Sequence, residues 1–221
     1  NYDLTERVLP STTNITMPSM EEYVTHMVDQ QLRCHGAVSL KGLTYLRRNT
    51  ALRNAVKSLV NERLAQGVLE QVQLSSGEVY FIETGALERR LPNLSNRLHI
   101  LSPFDNSVIQ RDRLKHLFQY DYQIECYVPE AKRKYGYFSL PLLFRGEFIG
   151  RMDCKAHRKE CRLEIKSLYL DTQGLDDDLV IHSFVEAIKT FSQFQQCDSV
   201  TLTAVNPKRL ALSLQSRLNA I

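Results

Sequence analysis

The chain contains no tryptophan, and no apolar run in it approaches the roughly 20 residues of a membrane span. No segment has the order of a signal peptide, so the sequence offers no reason to expect a membrane partner. The five cysteines are scattered and odd in number, which argues against a disulfide framework. We therefore expect a protein of the reducing cytoplasm.

The chain also has no large excess of one charge, because it contains 28 Lys and Arg residues and 25 Asp and Glu residues. A net charge of +3 is only mildly basic. Any nucleic-acid role must therefore come from local clustering of cations and not from overall charge. The length of 221 residues suits one large domain or two small ones.

The first half has the pattern of three helices followed by a hairpin. Apolar residues at helical spacing predict a helix over 19–33, and a short second helix over 40–46 follows it. A third helix begins after Asn49, and the segment 68–82 has two strand patterns around a Ser-Ser-Gly turn. This order predicts a winged helix-turn-helix domain over 18–84.

The third helix of such a domain usually enters the major groove of DNA. Its outward face here carries Arg53 and Lys57, groups that contact phosphates and base edges. We therefore take both as candidate DNA-binding residues. The alternative is an ordinary solvated helix face.

The second half has the pattern of a β-rich α+β domain. We predict a linker over 85–97 and then, over 98–221, a curved antiparallel sheet or partial barrel with helices. A helix begins at Asn106 or Ser107, and the alternation over 122–127 predicts a strand.

Further along, the predicted strands over 137–144 and 147–155 form a hairpin with a two-residue loop. A strand over 162–170 and a helix over 176–195 follow. A last strand over 199–205 and a last helix after it complete the predicted domain.

Three consecutive cations stand beside two tyrosines and a glycine in the run from Lys132 to Tyr137, and more cations follow on the next strands. Cations attract phosphates and tyrosine rings stack on bases. The alternative is a charged loop at the rim of a sheet. The candidate DNA-binding residues of this half are Lys132, Arg133, Lys134, Tyr135, Tyr137, Arg151, Lys155 and Arg158.

No metal or catalytic motif accompanies these cations. Cys154, His157 and Cys161 offer three metal ligands without a clear fourth, so we expect no metal site. The sequence also has no nucleophile elbow, no phosphate-binding glycine loop and no paired-metal motif. We therefore expect no catalytic residue and no cofactor in this chain.

The Lys132–Tyr137 run has Leu-Ser-Pro-Phe-Asp at 101–105 before it and Gly-Arg-Met-Asp-Cys-Lys at 150–155 after it. Together these segments resemble the AlkZ/YcaQ type of winged-helix DNA glycosylase. Members of that family excise alkylated bases and unhook interstrand crosslinks. The family often continues the first segment with Pro and then Trp-Asp-Arg, where this chain has Val-Ile-Gln-Arg over 108–111. The resemblance is therefore closer to the YcaQ-like branch.

The resemblance implies that catalysis needs a Gln-hydrophobic-Gln or Gln-hydrophobic-Asp motif in the first winged helix of the family. The look-alikes at 71–73 and 193–195 have the wrong position, so the catalytic motif is expected upstream of this chain. Residues 1–17 are then a linker or the remnant of a preceding domain. We expect a C-terminal fragment of a bacterial repair glycosylase, inactive alone.

This expected fragment binds damaged or crosslinked double-stranded DNA as a monomer in the nucleoid. Two other functions fit the same residues. One is a winged-helix transcriptional regulator with a β-rich sensor domain, which would bind one operator sequence, as a dimer on two half-sites. The other is a protein-interaction module that never contacts DNA.

Overall fold

A computed structural model describes residues 3–219. Asn1 and Tyr2, in the predicted linker, and Ala220 and Ile221, in the predicted C-terminal domain, lie outside the described residues. The chain divides into two compact units, one that ends at Leu87 and one that follows it. No helix within 3–219 is long and apolar enough to cross a membrane.

The first unit consists of helices followed by an antiparallel hairpin. Its elements are α1 (Thr5–Val8), α2 (Met20–His35), α3 (Leu40–Leu43), α4 (Thr50–Ala65), β1 (Leu69–Gln73) and β2 (Val79–Glu83). The apolar faces of α2 and α4 meet in one core with the hairpin, where Val28, Leu43 and Val60 are fully buried. Burial of these faces is the main source of the unit's stability.

Local signals fix where these helices begin. The backbone N–H of Glu22 donates to Ser19 Oγ at 3.1 Å, and the N–H of Ser19 donates to the Glu22 carboxylate at 2.7 Å. This reciprocal pair is a capping box, and the spacing of Ser19 and Glu22 in the sequence indicates it. Asn49 caps α4 in the same way, because its side-chain oxygen accepts the N–H of Leu52 at 3.0 Å.

The predicted second helix is shorter than its apolar pattern suggests. It ends at Leu43, and the N–H of Tyr45 donates to the carbonyl of Gly42. Leu46 therefore lies outside the helix, in a left-handed conformation with φ 61° and with 86% of its surface exposed. Its place in the predicted apolar face is wrong.

The second unit is a six-stranded sheet with helices. Its elements are β3 (Leu98–Ile100), α5 (Arg111–Phe118), β4 (Ser139–Phe144), β5 (Glu147–His157), β6 (Arg162–Leu170), α6 (Asp177–Phe194), β7 (Ser199–Leu202), β8 (Val205–Asn206) and α7 (Ala211–Leu218). The strand order is β3-β4-β5-β6-β7, with β8 also paired to β6. The mixed α+β class is therefore confirmed.

One feature of the predicted sheet is wrong. Both β7 and β8 run parallel to β6, because α6 carries the chain back across the sheet, so the sheet is mixed and not antiparallel. The described strands form an open path, so they do not make a closed barrel. The predicted hairpin is present, and its Arg145-Gly146 loop has positive φ at both residues, as a tight hairpin turn requires.

The segment before the hairpin also differs from prediction. The helix starts at Arg111 because the Asp105 carboxylate accepts the N–H of Ser107 at 2.8 Å and holds a turn there. Residues 122–127 form no strand, since side chains and not a backbone ladder attach this segment to the sheet. The Tyr122 hydroxyl, for example, donates to the carbonyl of Ser139 at 2.6 Å.

The two faces of β5 have different neighbours. Met152 is fully buried in the core that α6 covers, together with Phe184 and Ile188. Because side chains alternate along a strand, Arg151, Asp153 and Lys155 share the opposite face. That face carries the Lys132–Tyr137 run.

Candidate nucleic-acid interface

The backbone of the Lys132–Tyr137 run is held by the carboxylate of Glu125. This carboxylate accepts the N–H groups of Lys134, Tyr135 and Gly136 at distances of 2.7 to 3.1 Å. Hydrogen bonds to a charged acceptor are stronger than neutral ones. The loop is therefore a defined structure although it contains no strand.

A second carboxylate continues this arrangement. The buried carboxylate of Asp153 accepts the N–H of Tyr137 at 3.0 Å and the N–H of Phe138 at 3.2 Å. Gly136, between the two anchored segments, has φ 117°, and a Cβ atom there would lie 2.2 Å from Asp153 Oδ2. Only glycine fits this close approach.

Arg151 lies beneath the loop in a cage of tyrosines. Its guanidinium carbon is 4.0 Å from the ring centre of Tyr135, 4.6 Å from that of Tyr120 and 5.5 Å from that of Tyr122. It also donates to the carbonyl of Asp121 at 2.8 Å. Burial raises the pKa of Tyr120 well above its ordinary value, and the nearby Arg151 charge partly opposes this.

The candidate residues therefore fall into two groups. Arg151 is only 7% exposed, and Tyr135 is half-buried between it and Tyr169. The sequence predicts DNA contact for both, but their contacts are those of a support for the loop. Lys132, Lys134 and Tyr137 are exposed.

The exposed Tyr137 ring has a cation on one side. The guanidinium of Arg133 lies 5.0 Å from its centre and donates to the carbonyl of Val128 at 2.9 Å, so Arg133 is fixed as well. Tyr127, the residue before Val128, is 92% exposed. A hydrogen bond to Tyr135 raises the pKa of Lys134, which keeps that side chain cationic.

Two further candidate cations lie near one another beyond the loop. Lys155 is exposed on the same face of β5 as Asp153, and Arg158 is exposed in the turn that follows the strand. Lys155 and Arg158 therefore continue the positive charge of the loop along β5, while the buried Arg151 does not contribute to this exposed surface. Such a line of positive charge suits a phosphate backbone.

The first unit presents its own cations on α4. Arg53 and Lys57 are both exposed and one turn apart, so they share a face of the helix. The Nε of Arg53 donates to the carbonyl of Arg47 at 3.2 Å.

The cysteine and histidine residues near the end of β5 have other surroundings that the structure describes. His157 Nε2 lies 2.7 Å from the carboxylate of Glu164, which gives this ring a partner. Burial raises the pKa of Cys154 to about 12. Within residues 3–219, no three His, Cys, Asp or Glu are grouped as metal ligands.

The two glutamine pairs lie in different units of the fold. Gln71 and Gln73 are exposed on β1. At the end of α6, Gln193 is exposed and Gln195 is half-buried. A glutamine that positions water for hydrolysis needs a site from which bulk solvent is excluded.

The sequence did not point to Glu125, which has no distinctive neighbours in the chain. Only the fold brings its carboxylate to the loop, nine to eleven residues further on. Gly136 carried a weak signal, since a glycine between two tyrosines suggests a backbone conformation that other residues avoid. Asp153 was visible as part of the segment from Gly150 to Lys155 but not as an anchor.

Exposed cations beside an exposed tyrosine are the groups that a nucleic-acid-binding surface requires. The family described as DNA glycosylase AlkZ-like matches residues 1–187. The chain therefore belongs to the AlkZ-like DNA glycosylase family.

A solved structure agrees with this assignment at the level of fold. The Streptomyces sahachiroi DNA glycosylase AlkZ superposes with a TM-score of 0.51 over 86% of this chain, at 14% identity. The matched region covers 47% of that protein, so this chain spans about half of its length. At this identity the likeness concerns the fold alone.

Proposed function

We propose that this chain is the DNA-holding part of a repair glycosylase that hydrolyses the N-glycosidic bond of alkylated or crosslinked bases. The observation that carries the proposal is the Lys132–Tyr137 loop. Its N–H groups from Lys134 to Phe138 are occupied by the carboxylates of Glu125 and Asp153. Because the backbone is satisfied internally, the exposed side chains are available to a partner.

Each exposed group has a proposed role on duplex DNA. Lys132 and Lys134 contact phosphates, and the Tyr137 ring, with Arg133 behind it, stacks on a base or sugar. Lys155 and Arg158 extend the phosphate track. Tyr135 and Arg151 act indirectly, because they support the loop from below.

The first unit is proposed to be a winged helix over residues 18–84. Its element order supports this, since α2, α3 and α4 precede the β1–β2 hairpin. In that arrangement α4 is the helix that enters the major groove, and Arg53 and Lys57 contact phosphate or base edges. Residues 85–97 then serve as a linker to the β-rich domain over 98–221.

We further propose that residues outside this chain carry the hydrolysis and that the DNA is bound by a monomer. The exposure of Gln71, Gln73 and Gln193 to solvent supports the first point. A glycosylase of this kind requires a positioned water and electrostatic stabilisation of a cationic transition state, which a metal need not supply. This chain contributes affinity and positioning and not the bond cleavage itself.

Removal of two exposed cations tests the loop. The double variant Lys132→Ala/Lys134→Ala should bind a labelled duplex about tenfold more weakly at near-physiological salt. The slope of log affinity against log salt should fall by roughly 1.8, because two phosphate contacts are lost. Fluorescence anisotropy measures both quantities.

The matched control is Lys189→Ala/Lys208→Ala, which removes the same charge from a half-buried position on α6, where Lys189 pairs with Glu186, and from an exposed position after β8. We expect it to change affinity less than twofold. Equal losses in the two double variants would show that only overall charge matters, and the loop would then be ordinary surface.

A further inference from the structure

Leu46 is an apolar side chain held out into solvent where the fold gains little from it. Its surface is 86% exposed, and its φ of 61° is left-handed. That conformation is unfavourable for residues with a Cβ atom and is usually occupied by glycine or asparagine. Neither burial nor backbone preference therefore explains a leucine at this position.

The turn that carries Leu46 is fixed on both sides. The N–H of Arg47 donates to the carbonyl of Thr44 at 2.9 Å, and the Nε of Arg47 donates to the Tyr23 hydroxyl at 3.3 Å. The Nε of Arg53 donates to the carbonyl of Arg47 at 3.2 Å. The backbone thus presents the leucine in one defined direction. Little conformational freedom is therefore lost when the side chain binds a partner.

The surroundings of Leu46 are cationic. It lines an open groove of about 560 Å³ together with Lys41, Arg53 and Lys57, and the exposed Arg48 lies two residues further along the chain. Concentrated positive charge favours a polyanion as the partner. An apolar protein partner would gain nothing from these cations and would have to desolvate them.

We propose that Leu46 is a wedge that inserts between neighbouring base pairs of duplex DNA, while Arg48 and Lys57 hold the phosphates on either side. Apolar wedges of this kind unstack a base step and bend the duplex. The proposal rests on the proposed function, because it requires that the first unit binds DNA. It adds a deformation of the DNA that the cations alone would not cause.

The variant Leu46→Asn isolates the wedge, because asparagine tolerates the left-handed conformation but is polar and shorter. We expect about tenfold weaker binding to a duplex, from the loss of apolar burial. The bend should disappear from energy transfer between dyes at the two duplex ends. The salt slope should not change, because no phosphate contact is lost. The melting temperature should stay the same or rise.

Two controls complete the design. Leu46→Met keeps an apolar side chain and should retain most of the bend. Lys57→Ala should keep the bend but lower the salt slope by about one. These opposite patterns separate a wedge from a phosphate contact.

Different results overturn different claims. If the unaltered chain shows no salt-dependent DNA binding, the proposed function and the wedge both fail. If it binds DNA but Leu46→Asn binds and bends the duplex equally, only the wedge fails. A lower melting temperature in Leu46→Asn, or a change in the sedimentation of the free protein, would instead assign Leu46 to a structural or self-association contact and overturn the wedge.

Discussion

Replacing Arg151 with alanine is expected to lower the free energy of unfolding of the second unit by about 3 kcal/mol. The guanidinium is in contact with three tyrosine rings and donates to the Asp121 carbonyl, all in a nearly solvent-free position. Alanine removes these contacts and leaves a cavity. Because the chain has ten tyrosines and no tryptophan, near-ultraviolet circular dichroism during urea unfolding follows the packing of the tyrosines, and three of these form the cage.

Two controls define the cause of that loss. Lysine at 151 keeps the positive charge but not the planar group that stacks on tyrosine, so Arg151→Lys should recover less than half of the lost stability. Arg158→Ala removes an exposed arginine from the turn that follows the same strand and should cost less than about 0.5 kcal/mol. If Arg151→Ala unfolds at the same urea concentration as Arg158→Ala, the tyrosine cage does not stabilise the unit.

The variant Gly136→Ala is expected to be comparably severe, at about 3 kcal/mol of unfolding free energy. Its φ of 117° is unfavourable for alanine, and the new Cβ would lie 2.2 Å from Asp153 Oδ2 and 2.5 Å from Asp153 Cβ. The Asp153 side chain must therefore move as a whole, which breaks its bonds to Tyr137 and Phe138. We expect DNA affinity to fall about tenfold, since Tyr137 and Lys134 lose their fixed positions.

Gly174→Ala is the matched control, because Gly174 also has a positive φ of 77° but no atom within 4 Å of the new Cβ. It carries the backbone strain without the clash and should cost about 1 kcal/mol. Urea unfolding of the two variants gives the comparison. Equal stabilities for Gly136→Ala and Gly174→Ala would mean that the loop can move away from Asp153 at little cost.

The parts of the fold with strong local signals could be predicted from the sequence. The capping box of Ser19 and Glu22 starts α2 as predicted, and Gly36 and Gly67, both with positive φ, follow the ends of α2 and α4. The Arg145-Gly146 loop gives the hairpin its correct register. In each case a few neighbouring residues determine the local conformation.

The errors arose where tertiary contacts override local pattern. Residues 122–127 alternate like a strand, but the hydroxyl of Tyr122 reaches a sheet carbonyl and the backbone remains outside the ladder. The parallel pairing of β7 and β8 with β6 depends on how α6 crosses the sheet, which no local segment specifies. Long-range pairing of this kind is invisible to periodicity.

The candidate interface was predicted by residue type and not by role. The cations and aromatics of the run from Lys132 to Tyr137 indicate a DNA contact, and most of the support for it comes from the family resemblance. The division between exposed Lys132 and buried Arg151 required the fold, because arginine serves equally well on a phosphate and beneath a tyrosine ring. The role of Glu125 as an acceptor for the loop N–H groups could not be predicted, because a single carboxylate in a loop forms no sequence pattern.

The most direct test of the central claim is a titration of the unaltered chain with duplex DNA of several sequences, from about 50 to 200 mM salt. Apart from Arg48 beside the proposed wedge, the exposed cations proposed as phosphate contacts are Arg53, Lys57, Lys132, Lys134, Lys155 and Arg158. If all six engage, affinity should fall by about a thousandfold over this range, equally for every sequence. No binding at the lowest salt, or strong preference for one two-half-site sequence as expected of a dimeric regulator, would contradict the account.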